Sequence, residues 1–118
     1  MPGSHDSQLL KGVLSLVLLQ LLAERESYGW ELVQRVQDLG LPDVLEGTVY
    51  PALARLEREG RVRSRLVASS SGPARKYYRP TDAGYDALAA GKASWSALIN
   101  VVGTALARDV PDAPVEGG

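Results

Sequence analysis

The chain has 118 residues, 45% of them apolar, which suits one small domain of the kind that often completes its burial through a partner subunit. Cysteine is absent, so disulfides and thiolate metal sites are excluded, and the single histidine, His5, stands in a polar leader, so no histidine-based metal or catalytic site is expected. The net charge of −1 argues against a polyanionic partner, but its distribution argues for one: residues 55–79 hold eight cations against two acids, a balance of +6, and the rest of the chain stands at −7.

Residues 1–7 read as a disordered leader, with Asp6 or Ser7 able to cap a first helix that runs to about Glu24. Leu10, Leu14, Val17 and Leu21 form one apolar stripe on it, and Leu9, Val13, Leu16 and Gln20 form another. A helix apolar on both sides is buried on both sides, so one face should meet its own domain and the other a second subunit. The apolar run Leu9–Leu22 is broken by Lys11, Ser15 and Gln20 and is shorter than the roughly 20 residues a bilayer requires, so no membrane partner is expected and the protein is expected to be cytoplasmic. Ser27 suits the N-cap of a second helix, Tyr28 to about Leu39, with Tyr28, Leu32, Val36 and Leu39 inward, Gly29 allowing close packing and Trp30 as a half-buried staple. Gly40-Leu41-Pro42-Asp43 ends it.

The third helix, Glu46–Gly60, has Pro51 read in its first turn, Gly60 as its C′ stop, and a narrow stripe of Val49, Ala52, Leu53 and Leu56. Its opposite face presents Thr48, Pro51, Ala54, Arg55 and Arg58, small residues and arginines that suit a DNA major groove. Beyond Gly60 the period becomes two: Arg61–Val67 alternates as a half-exposed strand with Arg61, Arg63 and Arg65 on one face, Ser69–Pro73 is a turn, and Lys76–Arg79 is a second strand. Three helices and a hairpin in this order make a winged helix-turn-helix, with a wing tip of Ser71, Gly72, Arg75 and Lys76 placed to touch DNA backbone or minor groove. Thr81 caps a last helix in which Tyr85, Leu88, Lys92, Trp95, Ile99, Val102 and Leu106 alternate at spacings of 3 and 4, a heptad seam suited to a dimer. Gly84, Gly91 and Gly103 weaken this helix in isolation, so it should depend on its partner for order. The fold class is therefore mainly α with a small β-hairpin: a winged helix-turn-helix domain over 8–80, a C-terminal dimerisation helix over 81–107 and a disordered tail over 108–118.

The pieces Leu9-Leu10-Lys11-Gly12, Ser27-Tyr28-Gly29-Trp30-Glu31-Leu32, Glu46–Gly60, Arg75-Lys76-Tyr77-Tyr78-Arg79 and Thr81-Asp82-Ala83-Gly84, in this order, resemble the short-C-terminal branch of the PadR family of bacterial transcriptional regulators. Pro80 stands where that family usually has leucine, and Trp30 where a smaller ring is common. The resemblance implies a homodimeric repressor on a palindromic operator in double-stranded DNA, held together by its last helix and the partner's first. On this basis Thr48, Tyr50, Pro51, Ala54, Arg55, Arg58, Arg75 and Lys76 are expected at DNA, Tyr50 with its ring in the core and its hydroxyl on a phosphate. One or two of Arg61, Arg63 and Arg65 are expected to add long-range attraction. Leu9, Val13, Leu88, Trp95, Ile99, Val102 and Leu106 are expected at the dimer interface. Trp95 fits a hydrophobic knob there; by resemblance to relatives that bind planar drugs, it also fits a platform for a planar aromatic effector, lined by Leu16, Gln20, Lys92 and Ile99. A ligand- or protein-binding dimer that has lost DNA binding is the alternative, opposed by the cationic cluster. No cofactor or metal is implied. With no phosphate loop and no nucleophile beside a base, the chain is not expected to be an enzyme.

Overall fold

The computed structural model describes residues 7–112. The elements run α1 (Ser7–Glu24), β1 (Ser27–Tyr28), α2 (Gly29–Asp38), α3 (Glu46–Arg58), β2 (Val62–Ser69), β3 (Gly72–Pro80) and α4 (Asp82–Leu106). Asp6, His5 and the residues expected to be disordered at 1–6 and 113–118 lie outside the described residues. The strands form one antiparallel sheet in the order β1-β3-β2. Mainly helical with a small sheet and a long C-terminal helix, the fold is the expected one.

The core is built where the apolar stripes meet. Leu14, Leu18, Leu19, Leu21 and Leu22 of α1 pack on Leu32, Val33 and Val36 of α2, on Val49, Ala52, Leu53 and Leu56 of α3, and on Val44, Val62 and Leu88. All four expected inward residues of α3 are buried. In α2 the stripe shifts: Leu39 is 60% exposed, because the helix ends at Asp38 and Leu39 is its C-cap, while Val33 takes a fully buried place.

The start of α2 departs from expectation. Ser27 does not cap it; Tyr28 is the N-cap residue and makes no side-chain cap hydrogen bond. Ser27 is buried in β1, in register with Tyr78 of β3, and its hydroxyl accepts from Arg35 Nη1 at 2.8 Å. Pairing with β3 claims the backbone that a cap would have turned into the helix, and a two-residue strand is too short for period-two alternation to reveal.

Two further corrections concern α3 and the wing. Pro51 lies in the second turn of α3, not the first, because the helix already starts at Glu46 with Leu45 as N-cap. The Gly47 carbonyl therefore loses its i+4 donor. The hairpin is longer than its β-rich residues suggest: the register continues to Ser69 opposite Gly72, leaving only Ser70 and Ser71 as the turn. Arg75 and Lys76 consequently sit along the strand rather than at the tip. Arg61 precedes β2, so only Arg63 and Arg65 share a strand face.

The joint between α3 and α4 is tightly specified. Gly60 takes the C′ position with φ +74°; its N–H donates to the Glu57 carbonyl at 3.0 Å, and the Arg61 N–H donates to the Leu56 carbonyl at 2.9 Å, a Schellman closure. Thr81 then binds this closure twice, its hydroxyl donating to the Gly60 carbonyl at 2.5 Å and its N–H to the Arg61 carbonyl at 3.0 Å. The same hydroxyl accepts from the Gly84 N–H at 3.1 Å, the expected cap of α4. A Cβ on Gly84 would strike the Arg61 carbonyl. The end of α3 is thus hydrogen-bonded to the start of α4.

From Lys92 onward every described residue of α4 is exposed, and the helix draws the molecule out to 73 × 30 × 21 Å. Its radius of gyration is 18.7 Å, against about 13 Å for a compact chain of ~100 residues.

Candidate nucleic-acid interface

The candidate recognition face lies on α3. Thr48, Pro51, Ala54, Arg55 and Arg58 are exposed together, opposite the buried stripe. Of this face the arginines carry the charged hydrogen-bond donors, and Arg55 Nη2 donates back to the Ser15 hydroxyl of α1 at 3.1 Å. Tyr50 stands at the flank, 44% exposed, with its ring against Gly29; a Cβ on Gly29 would collide with Tyr50 Cε1. The missing side chain at the first residue of α2 is what admits the ring.

Beside α3 opens a groove of about 490 Å³, lined by Tyr28, Gly29, Trp30, Tyr50, Arg75, Lys76 and Tyr78. It brings together Tyr50, Arg75 and Lys76, three residues singled out from the sequence, with Trp30, which is 46% exposed at its edge. Arg75 holds its guanidinium 4.5 Å from the centroid of the Tyr28 ring. Lys76 is not a free tip cation: its Nζ reaches Glu57 Oε1 of α3 at 3.1 Å and lies 5.5 Å from the Tyr78 centroid. The Ser64 hydroxyl of β2 donates to the other Glu57 oxygen at 2.6 Å. Those two hydrogen bonds, Ser64 first and Lys76 second, hold the Glu57 carboxyl below its ordinary value, and Glu57 in turn raises Lys76. One carboxylate thus fastens both wing strands to the recognition helix. Nothing in the sequence marked it, since Glu57 read as one of two acids diluting the cluster.

A second wing contact joins Arg65 to Glu26, just before β1, at 2.6 and 2.9 Å through Nη2 and Nε. It lowers the Glu26 carboxyl and raises the Arg65 guanidinium.

The residues expected at an interface and effector site divide. Between α1 and α4 lies a cleft of about 300 Å³ whose lining includes Leu16, Val13, Arg61, Gly91, Trp95 and Leu98. Leu16 and Trp95 both line it, whereas Gln20, Lys92 and Ile99 do not. Gln20 donates to Glu24 Oε2 at 2.8 Å; Lys92 and Ile99 are exposed. Leu88, placed in the seam by its heptad position, is instead buried in the chain's own core, because the first turns of α4 pack on α1. Beyond it Trp95, Leu98, Ile99, Val101, Val102 and Leu106 are all exposed, as is Leu9 of α1, while Val13 is half-buried.

Three helices with an exposed arginine face on the third, followed by a wing fastened to it, define a winged helix-turn-helix protein of the nucleic-acid-binding class. The chain matches the transcriptional regulator PadR-like family over residues 18–90, and it belongs to that family. Its fold is similar to a PadR-like transcriptional regulator from Bacillus cereus, at 39% identity over 86% of this chain and 99% of that one, with a TM-score of 0.78. A PadR-family regulator from Eggerthella lenta is 36% identical over 86% of this chain and 88% of its own, with a TM-score of 0.79. An uncharacterized protein from Lysinibacillus sphaericus is 28% identical over 98 residues, 81% of this chain and 90% of the relative. The protein is therefore a DNA-binding transcriptional regulator by family, not an enzyme. Among the described residues no helix is long and apolar enough to cross a membrane.

Proposed function

We propose that the protein is a homodimeric repressor that places two copies of α3 in successive major grooves of a palindromic operator, about 34 Å apart, as two-fold helix-turn-helix dimers do. The observation that carries this is the exposed Thr48–Arg58 face of α3 beside a groove lined by Tyr50, Arg75 and Lys76. In this reading Arg55 and Arg58 enter the groove, Thr48, Pro51 and Ala54 allow close approach, and Tyr50, Arg75 and Lys76 hold the sugar-phosphate strand. The start of α2 adds backbone N–H groups that no side chain caps. The exposed apolar end of α4 and Leu9 of α1 are covered by the second subunit. A planar aromatic effector in the space between Trp95, Leu16 and their partner copies would change the crossing of α4, and through the Thr81 joint the spacing of the two α3 helices.

The test is binding to a duplex enriched from random DNA by the protein itself, followed by fluorescence anisotropy. Arg55→Ala and Arg75→Ala should each weaken binding by roughly 1–3 kcal/mol, and wild-type affinity should fall steeply with salt. Arg55→Ala should also relax sequence preference. A salt-independent affinity, or both variants binding like wild type, rejects the assignment.

A further inference from the structure

Residues in register on neighbouring antiparallel strands point to the same face of a sheet. The register of β2 with β3 therefore sorts the cations of the wing. Val62 with Pro80, Ser64 with Tyr78 and Leu66 with Lys76 share the face that carries the contacts to the helices. Arg63 with Arg79, Arg65 with Tyr77 and Val67 with Arg75 share the other. Tyr28 of β1 joins this outer face opposite Tyr77, the two rings meeting edge to face at 5.3 Å. Half of the eight cations in the basic segment thus turn away from the helical body and form a run along the outside of the sheet.

This run is under-neutralised. Arg63 and Arg79 stand directly opposite each other, an arrangement that disfavours the strand pair unless an anion intervenes. Among the described residues the acid beside them is Glu26, and Arg65 already grips both its oxygens. Arg79 acts on Glu26 only at a distance, and Arg63 is in none of the ion pairs among the described residues. The opposite face behaves differently, since its cation Lys76 has its own carboxylate in Glu57.

We infer that the outer face of the sheet, through Arg63 and Arg79, is a second phosphodiester-binding surface, occupied by duplex DNA flanking the recognised sequence. The run is continuous with Arg75, which also lines the groove beside α3, so a strand leaving that groove meets it next. From Arg75 to Arg79 is about 13 Å along the strand, room for several phosphates of one DNA strand. Arginines interleaved with Tyr28 and Tyr77 suit a phosphate backbone, which they bind without reading bases. The inference rests on the DNA-binding reading above, and it adds that affinity depends on DNA beyond the operator.

The experiment compares two duplexes carrying the same enriched sequence, one ending at its boundary and one extended by about one helical turn of arbitrary sequence on each side. Wild type should bind the extended duplex more tightly, and the added cation contacts should steepen the salt dependence by about two per subunit and about four for the dimer, roughly a hundredfold difference between ~50 and ~200 mM salt. Arg63→Gln/Arg79→Gln should lose that increment while weakening the short duplex far less, and Arg63→Lys/Arg79→Lys should keep most of it. The Tm of the glutamine variant should equal or exceed that of wild type, since a like-charge pair is removed. Equal wild-type affinity for the two lengths, or an increment retained by the glutamine variant, overturns the second surface and leaves the operator interface standing. Failure to bind either duplex overturns the DNA-binding reading and this inference together.

Discussion

At the scale of single residues, two glycines show how the same absence of a side chain serves different ends. A Cβ on Gly84 would strike the Arg61 backbone carbonyl, which the α3–α4 joint holds in place, whereas a Cβ on Gly29 would strike the ring of Tyr50, which is half-exposed and can swing aside. Gly84→Ala should therefore destabilise the fold by about 1–3 kcal/mol, seen as a drop in Tm. Gly29→Ala should leave Tm nearly unchanged and weaken DNA binding about fivefold, close to 1 kcal/mol, by displacing Tyr50 from the groove. If Gly29→Ala lowered Tm as much as Gly84→Ala with DNA affinity intact, Tyr50 would be a packing residue only.

At the scale of elements, the wing is held to α3 by ionic contacts more than by apolar ones. Leu66 is 73% exposed, and beyond Ser64 β2 buries little. The clamp is Glu57, bound by Ser64 and Lys76, and its carboxyl sits below its ordinary value. A carboxylate depressed in the folded state contributes its stabilisation above the unfolded value, about 4.3, and loses it as pH falls through the lower folded value. Amide hydrogen exchange should accordingly show β2 and β3 losing protection on acidification before α1 to α3 do. Glu57→Gln should lower wing protection already at neutral pH and flatten that part of the pH dependence. An unchanged pH profile in Glu57→Gln would mean that the clamp does not order the wing.

At the scale of the whole molecule, the proposed dimer rests on α4. A helix of 25 residues that is exposed from Lys92 onward, carries three glycines and shows Trp95, Ile99, Val102 and Leu106 to solvent has too little packing of its own to hold its distal half. Val102→Asp should convert a dimer to a monomer in sedimentation velocity, lower the helical circular dichroism signal and reduce operator affinity. A planar cationic dye that quenches Trp95 should lose affinity for both Val102→Asp and Trp95→Ala. Wild-type dimerisation by Val102→Asp would remove α4 as the interface, and wild-type dye affinity in Trp95→Ala would remove the effector site.

Much was legible in the sequence because it is local. The 3.6-residue stripe of α3, Gly60 as a helix stop, Thr81 as a cap and the uneven charge each depend on neighbours a few residues away, and the fold class follows from the order of the elements; in α1 only Leu14 and Leu21 of the expected stripes are buried, and Leu18, Leu19 and Leu22 complete its core face. The exposed face of α3 was legible for the same reason: a stripe that is buried defines the face that is not. Tertiary structure alone decided whatever depends on chain closure across long separations. It drew Ser27 out of a cap and into a strand opposite Tyr78, set Glu57 between Ser64 and Lys76, and moved Leu88 from the seam into the core. It also turned Arg63, Arg65, Arg75 and Arg79 to one side of the sheet and Lys76 to the other. Periodicity reports that a side chain is half-exposed. Which partner lies beyond it is set by register and packing between distant segments, 51 residues apart for Ser27 and Tyr78, and a single local pattern carries no record of that distance.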